Sequence, residues 1–529
     1  MQTSSIDKEQ AHQDDSGIKH EERIKSIIGF LNNVVSEPVE SLIIVDMIQR
    51  VGIQPLFQEQ IKAILRWQYT HFNSLNHGKD DVYEIALRFR LLRQEGYYVP
   101  ADVFEYFHDK GKGFDMKLKG NIKSTMELYE ASQMRIEGED ILDEAECFSS
   151  QCLNALLTCD LDHENTRMIE STLRYPYRKS FARLLSPQSF VNDMPDVNSW
   201  MKDLLEVANE ERRIVQSVHR KEIHQINSWW KKLGLREEMK FARDQPLKWY
   251  MWSMAVLPDP SLSELRVELI KPISLVYIID DIFDVLSSTD ELILFTEVIK
   301  RWDNACVEQL PEYMKKCFKV LSDITNDFGN IIFEKHGWNP TRFLKQMWAN
   351  LCNAFLVEFQ WNASGKLPMA DDYLKNGIIT SGAPLVLAHL FFLMGQNIAN
   401  QSMDSEKEEV QLPNTIFLVA EILRLWDDLG CAQDENQNGY DGSYVECYLR
   451  ENQGSSYQSA REHVMELISK LWKLLNKECL SPCPFPAPFL EACVNAAKMV
   501  SMMYDYEDKH GLGLLQDHMK SLTCDDATC

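Results

Sequence analysis

The stretch that decides the fold runs from Ile273 to Val285 and reads ISLVYIIDDIFDV. It is an apolar run interrupted by three aspartates, and an unpaired carboxylate is rarely tolerated inside an apolar core. If the stretch is helical, Asp280 and Asp284 lie four residues apart on one face, with Asp281 rotated by about 100°. Two carboxylates on one face can bind Mg2+ together with a phosphorylated ligand. The alternative is a helix whose acidic turn reaches solvent.

A second acidic pattern lies downstream in Glu421–Glu435, which reads EILRLWDDLGCAQDE. Asp427, Cys431 and Glu435 recur at intervals of four residues, so a helix would carry them on one face. Arg424 lies one turn before them. Two such faces that point into one cavity can hold a cluster of divalent ions, and the guanidinium can bind a phosphate. The two patterns together predict a site for metal ions and a diphosphate.

These motifs resemble those of plant class I terpene synthases. The DDxxD pattern at Asp280, Asp281 and Asp284, followed by DELILFTEVIKRWD, is similar to the aspartate-rich motif of that family. The stretch DDLGCAQDE is similar to its second metal motif, (N/D)D-x-x-(S/T/G)-x-x-x-E. The stretches RDQPLKWYMW and WDDLG…DENQNGYDGSYVECY resemble the subgroup that makes acyclic alcohols, the linalool and nerolidol synthases. The resemblance covers most of the chain.

The residue pattern and the resemblance both predict an all-α fold with two helical domains. Apolar residues recur at three and four positions, and no alternating pattern predicts runs of strands. We expect a disordered acidic tail over residues 1–23, a helical domain over 24–195 and a second one over 196–529. The boundary is placed at the polar stretch VNDMPDVN, residues 191–198. The resemblance implies that the amino-terminal domain is a non-catalytic relic barrel and the carboxy-terminal one a catalytic α-bundle with a central cavity.

The amino-terminal half lacks two motifs that occur in the family. Class II activity needs DxDD, and the nearest stretch here runs from Asp160 to His163 and reads DLDH, for which a solvated loop is the better interpretation. The tandem-arginine motif of many cyclising monoterpene synthases is also missing. Its absence is typical of the acyclic-alcohol subgroup.

Further positions take their expected roles from the resemblance. Arg243 matches the first arginine of an R-x-R element that helps to hold the released diphosphate, whereas Gln245 replaces the second. Trp252 matches an aromatic residue that lines the cavity, where a π face can stabilise a carbocation. For a single aromatic residue, ordinary core packing is the alternative. Tyr504 and Asp508 match a pair at the cavity mouth, with a solvated helix end as the alternative.

Two further segments are expected to border the cavity. Ser381, Gly382 and Pro384 lie in the apolar stretch IITSGAPLVL, a combination that breaks or kinks a helix and frees backbone carbonyls. In the family such a break lines the cavity, although a plain helix terminus is the alternative. Residues 436–444 are rich in Gly, Asn and Asp and resemble a loop that closes over the diphosphate.

The resemblance assigns metal binding to five residues: Asp280, Asp284, Asp427, Cys431 and Glu435. It assigns diphosphate binding to Arg243 and Arg424. It assigns a catalytic role to these two arginines and to four further residues: Asp280, Asp281, Trp252 and Tyr504. Cys431 stands where the family has Ser, Thr or Gly, and a thiol is a poor ligand for Mg2+. We therefore expect a water in place of its side chain. Three Mg2+ ions are implied, with Mn2+ as a substitute.

The predicted reaction is Mg-dependent ionisation of geranyl or farnesyl diphosphate, followed by attack of water on the tertiary end of the allylic cation. The products would be linalool and nerolidol. Three alternatives remain at this point: a terpene synthase that makes olefins, a prenyl chain-elongating transferase and a metal-free helical interaction protein. The transferase normally repeats the DDxxD motif itself, whereas the second motif here is of the other kind.

Composition limits the partners and the compartment. The net charge of −25 argues against nucleic acid or an anionic membrane, either of which would need a basic patch. The 13 cysteines have no CxxC spacing, which favours a reducing compartment. No apolar run of about twenty residues predicts a membrane span, and the first 22 residues are more acidic than a transit peptide. We expect a cytoplasmic monomer.

Overall fold

The computed structural model describes residues 3–71, 81–109, 113–114, 121–181, 199–285, 288–302, 304–396, 412–434, 442–483, 485–504 and 509–523. The chain forms two compact units: unit 1, Met1–Ser217 with Cys479–Ser481, and unit 2, Val218–Glu478 with Pro482–Cys529. Helices dominate both units, which confirms the predicted all-α fold. The strands seen in the described residues are β1, His108–Asp109, and β2, Gly113–Phe114, which pair antiparallel.

Up to Ser217, the described residues of unit 1 form seven helices and the first part of an eighth. They are α1 (Thr3–Asn33), α2 (Glu40–Arg50), α3 (Gln58–His71), α4 (Val82–Gln94), α5 (Ile122–Ser132), α6 (Asp140–Leu157), α7 (His163–Arg174) and α8 (Ser199–Leu233). Short 3-10 helices cover Gln54–Phe57 and Ala101–Phe107. The loop before α7 is exposed, and Asp162 caps that helix by accepting a hydrogen bond from the Asn165 backbone at 2.7 Å. This agrees with a solvated loop at DLDH.

The structure differs from the predicted disordered tail over residues 1–23, because α1 is helical from Thr3. His20 Nε2 lies 2.8 Å from Glu211 Oε1, and Arg23 pairs with Glu206. Both partners lie on α8. Charges that resemble those of a solvated tail in the sequence therefore form ion pairs with another helix.

The predicted domain boundary at residue 196 is also displaced. The helix α8 continues without a break from Ser199 to Leu233, and the division between the units falls inside it, between Ser217 and Val218. The polar stretch 191–198 lies outside the described residues. A turn-rich stretch can mark where a helix begins, but the sequence of a long amphipathic helix does not mark where it passes from one core to another.

Unit 2 continues with fourteen further helices in its described residues. They are α9 (Leu235–Glu238), α10 (Pro246–Val256), α11 (Ser263–Val285), α12 (Thr289–Arg301), α13 (Asn304–Val307), α14 (Glu312–His336), α15 (Thr341–Ser364), α16 (Ala370–Thr380), α17 (Ala383–Leu393), α18 (Asn414–Asp434), α19 (Tyr444–Glu451), α20 (Tyr457–Leu480), α21 (Ala487–Tyr504) and α22 (Lys509–Thr523). A 3-10 helix, Pro260–Leu262, connects α10 to α11.

Helix α11 lies at the centre of unit 2 because it is apolar on nearly every side. Its buried side chains include Leu275, Ile279 and Phe283, and it packs against α10, α15 and α17. Ser288 begins the next helix with a capping box, in which its side chain and that of Glu291 each accept from the other's backbone N–H. No single described helix has the length and hydropathy to cross a membrane, and α16 and α17 pass that test only as a bent pair.

Candidate metal and diphosphate site

A cavity of about 500 Å³ lies within unit 2 and is lined by residues of α10, α11, α15, α16, α17, α18 and α21. Much of its charged lining comes from the carboxy-terminal halves of two helices: Asp280 and Asp284 on α11, and Arg424 and Asp427 on α18. Arg243, Lys248 and Glu358 also line it. Earlier residues of the same helices supply apolar lining: Leu269 and Ile273 on α11, and Val419 and Leu423 on α18. The cavity is therefore charged at one end and apolar at the other.

In the first acidic motif the three aspartates have different surroundings. Asp280 and Asp284 line the cavity, whereas Asp281 is only 5% exposed and does not. Asp281 accepts two hydrogen bonds from Arg243, one from the backbone N at 2.6 Å and one from Nε at 2.7 Å. The Arg243 guanidinium also pairs with Asp280 and lies 5.0 Å from the centre of the Tyr277 ring. Asp281 is predicted to be catalytic, and in the structure its contacts position Arg243.

The second motif repeats this arrangement. Arg424 donates from Nε to Asp428 Oδ1 at 2.7 Å, and its Nη2 lies 3.3 Å from Asp427 Oδ2. Asp428 is fully buried and also accepts from the Tyr373 hydroxyl at 3.1 Å and from the Tyr444 backbone N at 2.9 Å. The sequence reasoning overlooked Asp428, although its position as the second aspartate of WDD was a usable signal. It positions Arg424 as Asp281 positions Arg243.

Arg424 reaches the cavity because α16 leaves room for it. A Cβ atom at Gly377 would lie 2.6 Å from Arg424 Cδ, so a larger residue there would displace the guanidinium. Burial alone would lower the pKa of Arg424, but the adjacent Asp428 raises it well above its usual value. Arg424 therefore stays charged and faces the cavity.

The carboxylates of the first motif fit a divalent cation. Burial, with repulsion from Asp284, raises the pKa of Asp280 to about 7, and burial also raises the pKa of Asp284. Carboxylates crowded in this way are stabilised by a nearby cation, and their hard oxygen atoms suit Mg2+. Within the described ranges no three acidic, His or Cys side chains form a complete metal-binding group. This agrees with the usual coordination of Mg2+, which proteins bind through one or two carboxylates together with substrate phosphates.

Two predicted ligands cannot be placed. Glu435 lies outside the described residues, and so do the side chain of Cys431 and most of the loop over 436–444. The backbone of α18 extends through Cys431 to Asp434, so the helix on which the spacing was based is present. Gly442, at the far end of the loop, lines the cavity. Asp508 also lies outside the described residues.

The predicted helix break is confirmed between α16 and α17, which meet at 40°. Gly382 has φ +70°, and a Cβ atom on it would lie 2.5 Å from Val276 Cγ1 on α11. Both its conformation and its close approach to α11 require glycine. The carbonyls of Ile378 and Ile379 are not free, because they accept from Ser381 Oγ at 2.7 Å and the Gly382 backbone N at 3.1 Å.

Known proteins are similar to this chain in sequence and in fold. The family model described as "Terpene synthase family, metal binding domain" matches residues 231–474, and the one described as "Terpene synthase, N-terminal domain" matches residues 1–173. The chain belongs to the terpene synthase family. Its carboxy-terminal domain is thus a metal-binding domain, and the cavity lies within the matched region and the helix α21.

Named relatives of this terpene synthase include two enzymes with acyclic alcohol products in their names. It is 46% identical over 492 residues to an (E)-nerolidol synthase from Cannabis sativa, across 91% of this chain and 88% of the relative. It is 44% identical over 511 residues to the chloroplastic S-(+)-linalool synthase of Arabidopsis thaliana, across 95% of this chain and 87% of the relative.

A solved structure shares the fold over nearly the whole chain. Isoprene synthase from grey poplar, Populus x canescens, in complex with three Mg2+ ions and dimethylallyl-S-thiolodiphosphate, has a TM-score of 0.86 and 31% identity to this terpene synthase. The match covers 95% of this chain and 96% of that chain. It confirms the predicted terpenoid synthase fold.

Three aromatic side chains that line the terpene synthase cavity contact one another. Trp252 donates from Nε1 to the Tyr277 hydroxyl at 3.2 Å, and its ring centre lies 6.3 Å from that of Tyr504. All three side chains line the cavity. The structure thus places Trp252 and Tyr504 in the lining, as the resemblance implied.

Glu358 on α15 is a further cavity residue that the sequence reasoning overlooked. It accepts a hydrogen bond at 2.7 Å from Thr380 Oγ1, the last residue of α16. Burial raises the pKa of Glu358. The sequence offered a signal for Glu358, because an acidic residue interrupts the apolar run FLVEFQW just as Asp280 interrupts its own apolar run. The hydrogen bond to Thr380 joins the helix break to the adjacent helix α15.

Proposed function

We propose that this terpene synthase ionises geranyl and farnesyl diphosphate in the presence of Mg2+ and releases the acyclic alcohols linalool and nerolidol. The observation that carries the proposal is the cavity itself, whose lining combines four carboxyl groups and two guanidinium groups with apolar and aromatic side chains. Its volume of about 500 Å³ falls in the usual range for small-molecule sites. The named relatives support the acyclic products.

The charged end is suited to bind and hold a diphosphate. Arg243 and Arg424 are fixed by buried carboxylates, so they need little reorganisation when an anion arrives. Asp280, Asp284 and Asp427 are the residues that would hold Mg2+, which when bound stabilises the negative charge on a departing diphosphate. The arginines complete that charge neutralisation from both walls.

The remainder of the cavity is suited to a prenyl chain and its cation. Apolar side chains of α11, α18 and α21 offer no nucleophile to an allylic cation. Trp252 and Tyr277 contribute aromatic rings to the lining, and an aromatic π face stabilises positive charge. The alcohol then forms when a water oxygen bonds to the tertiary carbon and releases a proton, while the carbon–oxygen bond to diphosphate has already broken.

Product analysis tests the proposal. Purified protein would be incubated with Mg2+ and geranyl, farnesyl or geranylgeranyl diphosphate, and the products identified by gas chromatography and mass spectrometry. We expect linalool from geranyl diphosphate, nerolidol from farnesyl diphosphate and no product in excess chelator. In 18O-labelled water both alcohols should gain the label. Predominantly cyclic or olefinic products would overturn the acyclic-alcohol proposal.

A pair of aspartate variants tests the metal assignment. Asp280→Ala should abolish nearly all turnover, because it removes a carboxylate at the charged end of the cavity. Asp290→Ala is the matched control, since Asp290 is exposed in the first turn of α12. Full turnover by Asp280→Ala would refute the metal site. Use of Mn2+ in place of Mg2+ would be measured in the same assay.

We also propose that the protein acts as a monomer in the cytosol, a reducing compartment that suits its 13 cysteines without CxxC spacing. A fluorescent fusion of the full chain should label the cytosol of plant cells, and accumulation in plastids would contradict this. Sedimentation should give the mass of a single 61.4 kDa chain.

A further inference from the structure

One cation in the cavity lining has no role in the site described so far. Lys248, Trp252 and Val256 are spaced by four residues on α10, and all three line the cavity. They form the face of α10 that is turned toward it. Gln245, which occupies the second position of the R-x-R element, is exposed and is absent from the lining.

Contacts between α10 and α11 fix the depth at which Lys248 lies. Trp252 bonds to Tyr277, and Arg243, before the start of α10, bonds to Asp281. The two helices therefore run antiparallel, so that earlier residues of α10 lie beside later residues of α11. One turn back from Trp252 is Lys248, and one turn on from Tyr277 is Asp281, each a step of about 6 Å. The Lys248 backbone is thus level with the aspartates of the first motif.

Arg243 is the cationic side chain already described at this level of the cavity. Arg243 is bonded to both Asp280 and Asp281, so one guanidinium is shared by two carboxyl groups. A lysine ammonium is a compact charge on a flexible four-carbon stem, which can follow an anion as it shifts. A diphosphate held through Mg2+ at Asp280 and Asp284 would lie at this level of the cavity, within reach of the Lys248 side chain.

We infer that Lys248 is a diphosphate-binding residue that supplies the positive charge absent at Gln245. The inference rests on the proposed function, because it identifies a further ligand of the same leaving group. The Lys248 ammonium group donates hydrogen bonds to diphosphate oxygens from α10, at a position between Arg243 and Trp252. Charge-assisted hydrogen bonds of this kind are about twice as strong as neutral ones.

Binding of inorganic diphosphate tests the inference without requiring turnover. Titration calorimetry with Mg2+ present would compare the wild type with Lys248→Met, Lys248→Gln and Lys248→Arg. We expect the Met and Gln variants to bind diphosphate about 10-fold or more weakly and the Arg variant to remain within about 3-fold. Lys240→Met is the matched control, since Lys240 is exposed and lies outside the lining, and its affinity should be unchanged.

The possible outcomes distinguish a failure of the Lys248 inference from a failure of the proposed function. If the wild type and both neutral variants bind diphosphate equally, Lys248 does not bind it and this inference is overturned, while the proposed function stands. If the wild type itself does not bind diphosphate with Mg2+, the proposed function fails and the inference with it. A loss of affinity that Lys248→Arg does not recover would also overturn the inference, because it would indicate a packing role.

Discussion

Replacing Gly382 by alanine should damage both the stability and the activity of unit 2. Gly382 begins α17 with φ +70°, and it approaches α11 so closely that a Cβ atom would lie 2.5 Å from Val276 Cγ1. A contact of this length forces one of the two helices or the valine to move. Val276 lines the cavity, so its displacement changes the space open to the substrate.

The cost has two parts that the structure separates. A left-handed conformation at a residue other than glycine costs about 1–2 kcal/mol. Overpacking of a well-packed interior typically adds about 1–3 kcal/mol. We therefore expect Gly382→Ala to lower the free energy of unfolding by about 2–5 kcal/mol, with a fall in kcat larger than that explained by the folded fraction.

Gly337 offers a matched control for the first part. It follows the last residue of α14 with φ +80°, and a Cβ atom there would meet no atom within 4 Å. Gly337→Ala should therefore cost only about 1–2 kcal/mol and leave kcat unchanged. Urea unfolding followed by tryptophan fluorescence suits the comparison, because of the 12 tryptophans only Trp67 and Trp200 lie in unit 1.

A double variant isolates the second part. Val276→Ala removes the methyl groups nearest to the added Cβ, so the combined variant should be less destabilised than the sum of the single variants. If Gly382→Ala is no more destabilising than Gly337→Ala, or if the double variant shows no coupling, the close approach of α17 to α11 is not as described.

Two further substitutions test the second motif. Asp428→Asn should lower the free energy of unfolding by about 3–5 kcal/mol, because it leaves the Arg424 guanidinium without the charge that balances it. Thermal and urea unfolding would measure this, and an unchanged stability would contradict the buried pair. Cys431→Ser should keep or improve the apparent Mg2+ affinity in a titration of turnover with Mg2+, because a hydroxyl is a better partner for a hard cation. Loss of activity in a folded Cys431→Ser protein would show that the thiol has another role.

Periodicity predicted which residues share a helix face but not which face turns inward. The spacing of Asp280 and Asp284 correctly placed them together, and both line the cavity. Asp281 and Asp428 show what spacing leaves open. Each is next to a cavity residue in sequence, yet each is buried against an arginine. Rotation by about 100° per residue separates neighbours, but the packing of adjacent helices decides which of them is buried.

Features that depend on distant contacts were harder to predict. The helix α1 begins at Thr3, and its ion pairs to α8 join residues separated by 191 positions in the case of His20 and Glu211. Likewise the hydrogen bond between Thr380 and Glu358 forms only when α16 packs on α15. The helix break at Gly382 was predictable, because glycine and proline act on the local backbone.

The two acidic motifs share a construction that bears on how the arginines work. In each pair of adjacent aspartates, one faces the cavity and the other is buried and holds a guanidinium that also contacts the first. Arg424 lies four residues before Asp428 on the same helix, so its position follows from helix geometry. Arg243 lies 38 residues before Asp281, in the segment that leads into α10.

This difference in origin has a mechanical consequence. Because Asp281 binds both the backbone N and the side chain of Arg243, it fixes the start of α10 relative to α11, and with it the depth of Lys248 and Trp252. Asp428 fixes Arg424 and, through the Tyr444 backbone N, the start of α19. Each buried aspartate therefore sets the place of one guanidinium and of one neighbouring segment of the cavity wall. An anion that draws either arginine away from its aspartate would loosen that segment as well.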